Sequence, residues 1–314
     1  VKLIQRQGVE VVGLYLDLGF EANPGKRAQL KGLARELGIE LIVREVVEEY
    51  LAEILFQPKY GYGKGMNPCI DCHAFMIRKG LEVMEEVGAS FLVTGEVVGQ
   101  RPMSQRLPAL NSIGKLVGEP GRRLVVRPLS GKLLPPTIPE ERGWIDREQL
   151  LDIWGRDRSR QLQLAREFGL EGFEAPAGGC LLTDLNFSKR LRELGPITPA
   201  EIPILRVGRH FQIGGSRIVV SRNREENLKL RNYSGERFLI GVPKFPGPVV
   251  AVEVGRGERG EMEGGEFKIP NPPNWGEEGG GEETLKLLQW GANLAVTYSR
   301  VSSGVVQFQK REVE

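Results

Sequence analysis

Apolar runs rich in β-forming residues alternate with amphipathic stretches along the first half of the chain. Residues 9–18 (VEVVGLYLDL) form a nearly continuous apolar run, the pattern of a strand covered on both faces of a parallel sheet. Residues 26–37 carry Leu30, Leu33, Ala34 and Leu37 at helical spacing and stop at Gly38, which predicts a helix with a glycine cap. Residues 39–46 repeat the strand pattern and 47–56 return to a helical one. This alternation predicts βαβ units, hence an α/β domain on a doubly wound parallel sheet. Ahead of it, residues 1–8 read as the last turns of an amphipathic helix capped at Gly8.

Residues 57–67, rich in glycine, predict a mobile loop. From 73 to 87, Met76, Ile77, Gly80, Leu81, Met84 and Val87 share one helical face, so a helix is expected to begin at or beside Cys72. Residues 90–94 read as a further buried strand, broken at 95–100, and 124–129 as a short one. The prolines from Pro135 to Pro139 suggest a rigid spacer. Residues 146–168 read as helical in two pieces with a basic face (Arg156, Arg158, Arg160, Arg166), and 185–194 as another basic helix. Beyond Pro196 the pattern turns mostly to β. We therefore expect two domains, 1–195 and a smaller, mostly β α+β domain over 196–314. In the latter, strands are predicted at 216–220, 238–242 and 249–254, with a helix entered at Arg222–Asn227. A long exposed loop follows over 255–281, then a helix over 283–294 and strand-like alternation over 297–309.

Composition narrows this picture. With 40% apolar residues in 314, both domains can bury a core, and a net charge of +2 offers no global basic field for nucleic acid. No run of about 18 apolar residues predicts a membrane span. There are three cysteines, an odd number in a chain this large. That suggests a reducing cytoplasm where thiols stay available.

Those cysteines carry the candidate chemistry. Cys69 and Cys72 form a C-x-x-C pair ahead of a helix, where the helix dipole favours a thiolate. Cys180 lies in the turn Ala177-Gly178-Gly179-Cys180. Three soft ligands suit a [4Fe-4S] cluster with one iron left free of protein, or a redox pair or persulfide carrier without metal. A structural zinc site needs a fourth ligand; His73 is too near Cys72 and His210 falls in the other domain. The bland alternative is three unrelated buried thiols. The turn at 94–100 (TGEVVGQ) reads either as a nucleotide loop or as an ordinary strand-to-helix turn. His73 reads as a ligand contact or a solvated helix-start residue. The arginines from Arg156 to Arg166 either grip phosphates or form a solvated face. Arg209-His210-Phe211 and Arg222-Asn223-Arg224 mix charge and aromatic character as RNA-binding surfaces do, or keep a hairpin edge soluble.

Residues 66–113, with CIDCHAFMIRKG and the Thr-Gly-Glu…Gly-Gln…Ser-Gln string, resemble the catalytic core of tRNA 4-thiouridine synthetases. These are pyrophosphate-loop ATPases with an adenine nucleotide alpha hydrolase-like fold. The related tRNA 2-thiouridylases share the Asn-Pro-x-x-x-Cys pattern and the Gly-Gly-Cys loop, often with Asp where this chain has Cys69. The resemblance covers roughly residues 1–195. It implies an ATP-dependent tRNA sulfurtransferase, using ATP with Mg²⁺ to adenylate a uridine carbonyl before a sulfur nucleophile displaces AMP. It places nucleotide contacts at Tyr15, Leu16, His73, Gly95 and Gln105, and the catalytic cysteine at Cys180. Cys69 aligns the chain with the iron-sulfur-dependent branch, in which Cys69, Cys72 and Cys180 would ligate the cluster. The implied partners are tRNA and a sulfur donor, sulfide or a persulfide carrier, in the cytoplasm; a homodimer is left open. The family's Ser-Gly-Gly-x-Asp-Ser phosphate loop is absent and is expected upstream of Val1. From about residue 200, the string from Ser216 to Asn227 resembles the RNA-binding domain of NFACT-type proteins. A persulfide enzyme without a cluster, and an RNA-binding redox sensor on a degenerate ATPase core, remain the competing readings.

Overall fold

The computed structural model describes residues 1–170, 179–213, 216–233, 237–241, 248–253, 265–268 and 305–311. The chain divides into two compact units, Val1–Pro199 and Ala200–Glu314.

The first unit mixes helices with short parallel strands. In order it runs α1 (Lys2–Gln5), β1 (Gly13–Asp17), α2 (Lys26–Leu37), β2 (Leu41–Glu45) and α3 (Val47–Tyr50), which continues as a π-helical turn (Leu51–Leu55). Then come α4 (Cys69–Glu86), β3 (Leu92–Val93), α5 (Leu107–Val117), β4 (Val125–Val126), α6 (Ile138–Glu141), α7 (Ser159–Glu167) and α8 (Leu185–Leu194). Helix α2 ends where its pattern predicts, with Gly38 left-handed at φ +64° and N–H groups of the cap turned back to Ala34 and Arg35.

β1 pairs with β2 in parallel, from Gly13↔Leu41 to Asp17↔Glu45, and β3 pairs with β4 in parallel. The two pairs are separate two-stranded sheets, not one hydrogen-bonded doubly wound sheet among the described residues. β1 is also shorter than its apolar run and half-buried at every position. The reason lies in residues 9–12. Val9 and Val11, with Phe91 and Val93, pack on a buried cluster of Ile4, Val126, Ile145 and Leu150. Their side chains pack there, and the pairing of β1 with β2 begins only at Gly13.

Helix α4 lies across both strand pairs. A Cβ on Gly80 would stand 3.0 Å from Leu92 Cδ1 and 3.9 Å from Leu14 Cδ2, so glycine lets the helix sit close to β1 and β3 together. Its Ala74 and Ile77 join Ile113 of α5 and Val125 of β4 in one core cluster. The expected two-piece helix at 146–168 is a helix only in α7. Its first half is a single turn, Arg147–Gln149, capped by the Asp146 side chain. After it the backbone pairs elsewhere: Leu151 N–H donates to Pro128 O and Ile153 N–H to Leu129 O.

The second unit contains α9 (Ile202–Leu205), β5 (Arg209–Ile213), β6 (Ser216–Val220), α10 (Arg224–Asn232), β7 (Arg237–Gly241), β8 (Val250–Glu253), β9 (Gly265–Lys268) and β10 (Val305–Arg311). The strands form a six-stranded antiparallel sheet in the order β5-β6-β8-β7-β10-β9. Its core gathers Val219, Ala251 and Val249 with Leu230, Tyr233, Ile204 and Val207. The segment 255–281, expected as a loop, contains β9. The helix expected at 283–294 lies outside the described residues, as does the first part of the 297–309 segment. Among the described residues no helix is long and apolar enough to cross a membrane.

Candidate three-cysteine site

Helix α4 begins at Cys69, earlier than the apolar spacing suggested, with Pro68 at its cap position. Both thiols of the C-x-x-C pair therefore sit in the first turn, where Cys72 N–H closes the bond to Pro68 O at 2.8 Å. Asp71 between them is buried, and its carboxylate accepts the N–H groups of Lys59 and Tyr60 at 2.8 and 3.0 Å. The preceding loop is thus not free, as expected from its glycines, but tied down. Gly63 N–H donates to Asn67 O, and Gly65 N–H to Asn67 Oδ1. Met66 N–H reaches both Leu182 O at 3.0 Å and Ser188 Oγ at 2.9 Å. The glycines serve close approach: a Cβ on Gly65 would meet Leu182 O at 2.2 Å.

Cys180 arrives from the other side. Ala22 N–H donates to Gly179 O and Leu181 N–H to Phe20 O, each at 2.9 Å, making an antiparallel bridge between Glu21 and Cys180. The turn that leaves β1 therefore carries Cys180, while the contacts of Met66 join the segment just after Cys180 to the start of α4. Ala177 and Gly178 lie outside the described residues.

The three sulfurs are close enough to oppose one another's ionisation. Burial pushes the Cys72 thiol up to about 12, with Cys180, Cys69 and Asp71 adding repulsion against the relief offered by Tyr50. Burial likewise pushes Cys180 up to about 11, helped by Cys69 and Glu21 and opposed by the N–H groups of Leu182 and Thr183. Cys180 is the exposed member of the set, whereas Cys69 and Cys72 are half-buried. Water therefore screens Cys180 more than Cys72. The helix dipole, expected to favour a thiolate at Cys72, is outweighed by burial and like charge. Beside the sulfurs stands Tyr50, 1% exposed, its ring against Phe20 and Phe75 with centroids 6.1 and 5.7 Å away. Burial and all three cysteines push its phenol above the ordinary range.

Among the described residues, no three His, Cys, Asp or Glu side chains close into a ligand set for a metal ion. A single tetrahedral zinc, with Zn–S near 2.3 Å, would need its sulfurs within about 4 Å of each other. A cluster binds each cysteine on a different iron and spans a wider triangle. By donor type, three thiols from two separate segments fit the soft ligation of a cluster better than a single hard ion.

The turn after β3 is tied to His73, the residue that follows Cys72. Glu96 is buried, accepts from His73 Nδ1 and from Arg127 Nε at 2.8 Å each, and from Thr94 Oγ1 at 3.1 Å. Burial disfavours its ionised form, but the His73 hydrogen bond and the Arg127 charge prevail and hold its carboxyl at about 2. His73 is therefore anchored rather than solvated. Gly95 is exposed with open space at its α-carbon, free for a ligand to approach. Gly99 has another purpose: at φ +81°, it makes room for Trp154, whose Nε1 lies 3.3 Å from where a Cβ would stand. Gln105 is buried, and its Oε1 has no hydrogen-bond partner among the described residues. Tyr15 and Leu16 face Val43 and Arg44 along β1, the strand that leads into the Cys180-pairing turn.

The structure thus gathers Cys69, Cys72 and Cys180 and links His73 to the 94–96 turn. Sequence reasoning missed Tyr50, Asp71 and Arg127, and it gave Asn67 and Glu96, though both lie in the motifs quoted, no role of their own. A signal existed for Glu96, the one charged residue in the stretch from Phe91 to Val98. Of the arginines on the 156–166 face, Arg160 pairs with Asp152. In the second unit, Arg222 is paired with Glu226, its N–H to Oε2 at 2.7 Å and its Nε to Oε1 at 2.9 Å. His210 Nε2 lies 2.8 Å from Val207 O. Arg209 and Arg224 are exposed. No protein-family model matches the chain, and no curated protein matches it.

Proposed function

We propose that the chain is an ATP-dependent tRNA sulfurtransferase that makes 4-thiouridine or 2-thiouridine. The observation that carries this reading is the meeting of Cys69, Cys72 and Cys180 between the first turn of α4 and the turn that leaves β1. The 94–96 turn offers an open glycine, and its Glu96 anchors His73, the residue after Cys72.

The finer fold belongs to the same proposal. Helix α4 touches Leu14 and Leu92 at one glycine, and Val9 and Val11 share a cluster with Phe91 and Val93. Both contacts favour an order β2-β1-β3-β4 in an adenine nucleotide alpha hydrolase-like, doubly wound layer. In such a layer the carboxyl ends of the strands open on one crevice, where ligands bind.

In this mechanism Mg²⁺-bound ATP lies along the crevice, with Tyr15, Leu16 and Gly95 beside the nucleotide. The uridine carbonyl oxygen attacks the α-phosphorus and pyrophosphate leaves. A sulfur nucleophile then attacks the activated carbon and AMP departs. Glu96 fixes the Nδ1 side of His73, leaving Nε2 for the nucleotide or the uridine. Gln105 offers its buried Oε1 as an acceptor. Cys69, Cys72 and Cys180 would hold a [4Fe-4S] cluster, which when bound supplies an open iron for sulfide brought by the sulfur donor. The second unit, read as NFACT-type, would grip tRNA phosphates with the exposed Arg209 and Arg224. This reading is of a cytoplasmic enzyme.

A persulfide enzyme without metal is the second reading, favoured by the exposure of Cys180. Mass spectrometry of tRNA nucleosides from cells lacking the gene tests the function itself: one thiolated uridine should disappear, and persistence of all of them refutes it. Anaerobic purification separates the two chemistries. The cluster reading expects bound iron and loss of thiolation in Cys69→Ala; the persulfide reading expects neither, but loss in Cys180→Ala.

A further inference from the structure

We propose that the loop 59–64 is a docking surface for single-stranded RNA, holding the unpaired nucleotides beside the target uridine at the edge of the three-cysteine site. Residues 57–65 (QPKYGYGKG) interleave cations, aromatic rings and glycines and contain no acidic residue. Tyr60 and Tyr62 are 41% and 37% exposed. Among the described residues, neither ring lies against another ring or under a cation. Lys59 and Lys64 are exposed and make no ion pair among the described residues, whereas Lys79 on α4 pairs with both Glu49 and Glu82. Arg192 of α8, also exposed, brings a third cation, its Nη2 3.5 Å from Gly65 O.

A single exposed tyrosine needs no explanation. This pair differs because the chain fixes it in place. The Asp71 carboxylate accepts Lys59 N–H and Tyr60 N–H at 2.8 and 3.0 Å. Tyr62 Oη donates to Leu55 O at 2.8 Å, which pins the tip of its ring. Gly61, at φ +70°, turns the backbone between the two rings. Gly63 N–H donates to Asn67 O at 3.0 Å, and Asn67 Nδ2 stands 3.2 Å from Cys69 Sγ, so the loop ends on the site itself. A loop already held in shape loses little entropy on binding. Bases stack on tyrosine and phosphates accept from lysine and arginine, whatever the sequence. An acidic protein segment would use the cations and leave the rings idle. A base-paired helix keeps its base faces covered, so the fit is to nucleotides out of the stack.

The inference rests on the thiolase reading for the RNA being a substrate, but its test needs neither ATP nor sulfur transfer. A short fluorescent oligouridylate is titrated into the full chain and followed by anisotropy. Tyr60→Ala should weaken binding about tenfold, while Tyr60→Phe, which keeps the ring, binds like the parent. Lys59→Gln with Lys64→Gln should flatten the slope of log Kd against log salt by about 1.4, two single-strand phosphate contacts at about 0.7 each. In the parent chain, the same oligonucleotide carrying 5-iodouridine should photo-crosslink to the peptide holding Tyr60 and Tyr62, a result that depends on no variant folding. Crosslinks confined to the second unit overturn the proposal, as do an oligouridylate that does not bind or loop variants that bind like the parent. Polyglutamate that competes as well as unlabelled oligouridylate assigns the loop to an acidic partner and overturns it too. Loop binding together with intact thiouridine in cells lacking the gene would sink the thiolase reading and leave an RNA site standing. Loss of one thiouridine with crosslinks only elsewhere would do the reverse.

Discussion

Replacing Glu96 with glutamine removes one charge from the turn after β3 and leaves its size unchanged. The carboxylate is 6% exposed and bridges His73 and Arg127. Its carboxyl falls from an ordinary 4.5 to about 2 in the folded chain. The gap between these values is worth about 3 kcal/mol of folding free energy, an order-of-magnitude figure. Because the folded value is the lower one, the unfolded chain takes up the proton first as pH falls. The stabilisation is therefore complete above about pH 5, and about 2 kcal/mol of it is lost by pH 3. Glutamine carries no such dependence. At pH 7 Glu96→Gln should be less stable than the parent by about 3 kcal/mol, with Arg127 left facing a neutral partner. The difference should narrow to about 1 kcal/mol at pH 3. Urea unfolding of both proteins by circular dichroism at pH 7, 5, 4 and 3 measures it. A gap that stays constant across that range would mean that Glu96 is not an ionised, paired carboxylate in the folded state.

Gly65→Ala would place a Cβ 2.2 Å from Leu182 O and 2.6 Å from Ser188 Oγ. It should cost about 3 kcal/mol by urea midpoint, because a backbone carbonyl cannot swing away. Gly32→Ala is the opposite case, inside α2 with nothing within 4 Å, and should raise stability by about 0.5–1 kcal/mol in thermal melting. Ser130→Ala deletes a fully buried hydroxyl that donates to Ile153 O at 2.6 Å and accepts Val98 N–H at 3.1 Å. A loss of about 1–3 kcal/mol is expected in urea unfolding, since Val98 N–H is left without its acceptor. Asp184→Ala removes the cap of α8, where the carboxylate accepts Phe187 N–H at 2.7 Å, and should cost about 1 kcal/mol by thermal melting.

Helices α2 and α8 were legible because local chemistry defines them. Apolar spacing sets the buried face, and Gly38 or Asp184 closes an end without help from distant residues. The strands were legible in kind but not in length. A ladder needs a partner, and residues 9–12 share their apolar pattern with residues that only pack. The segment 146–168 misled for a related reason: Leu150 and Ile153 fit a helical period, yet they are buried in an extended stretch that pairs with 128–129. Spacing marked the Cys69–Cys72 pair as a unit, but no pattern announces that residues 179–181 pair with the turn after β1.

The convergence of the sulfurs depends on backbone contacts, each from a different part of the chain. Asp71 draws the 59–60 backbone against the first turn of α4. Met66 joins that turn to Leu182 and Ser188. Phe20 and Ala22 carry Cys180 on the exit from β1. None of these contacts uses a cysteine side chain, so the framework does not need the sulfurs in order to form. Each thiol could be lost without unfolding the turn that presents it, yet the turns bring like-charging groups together in a half-buried place where burial and repulsion both resist ionisation. A fold gains nothing in stability from that arrangement. Its expense is understandable where the sulfurs act on something held between them.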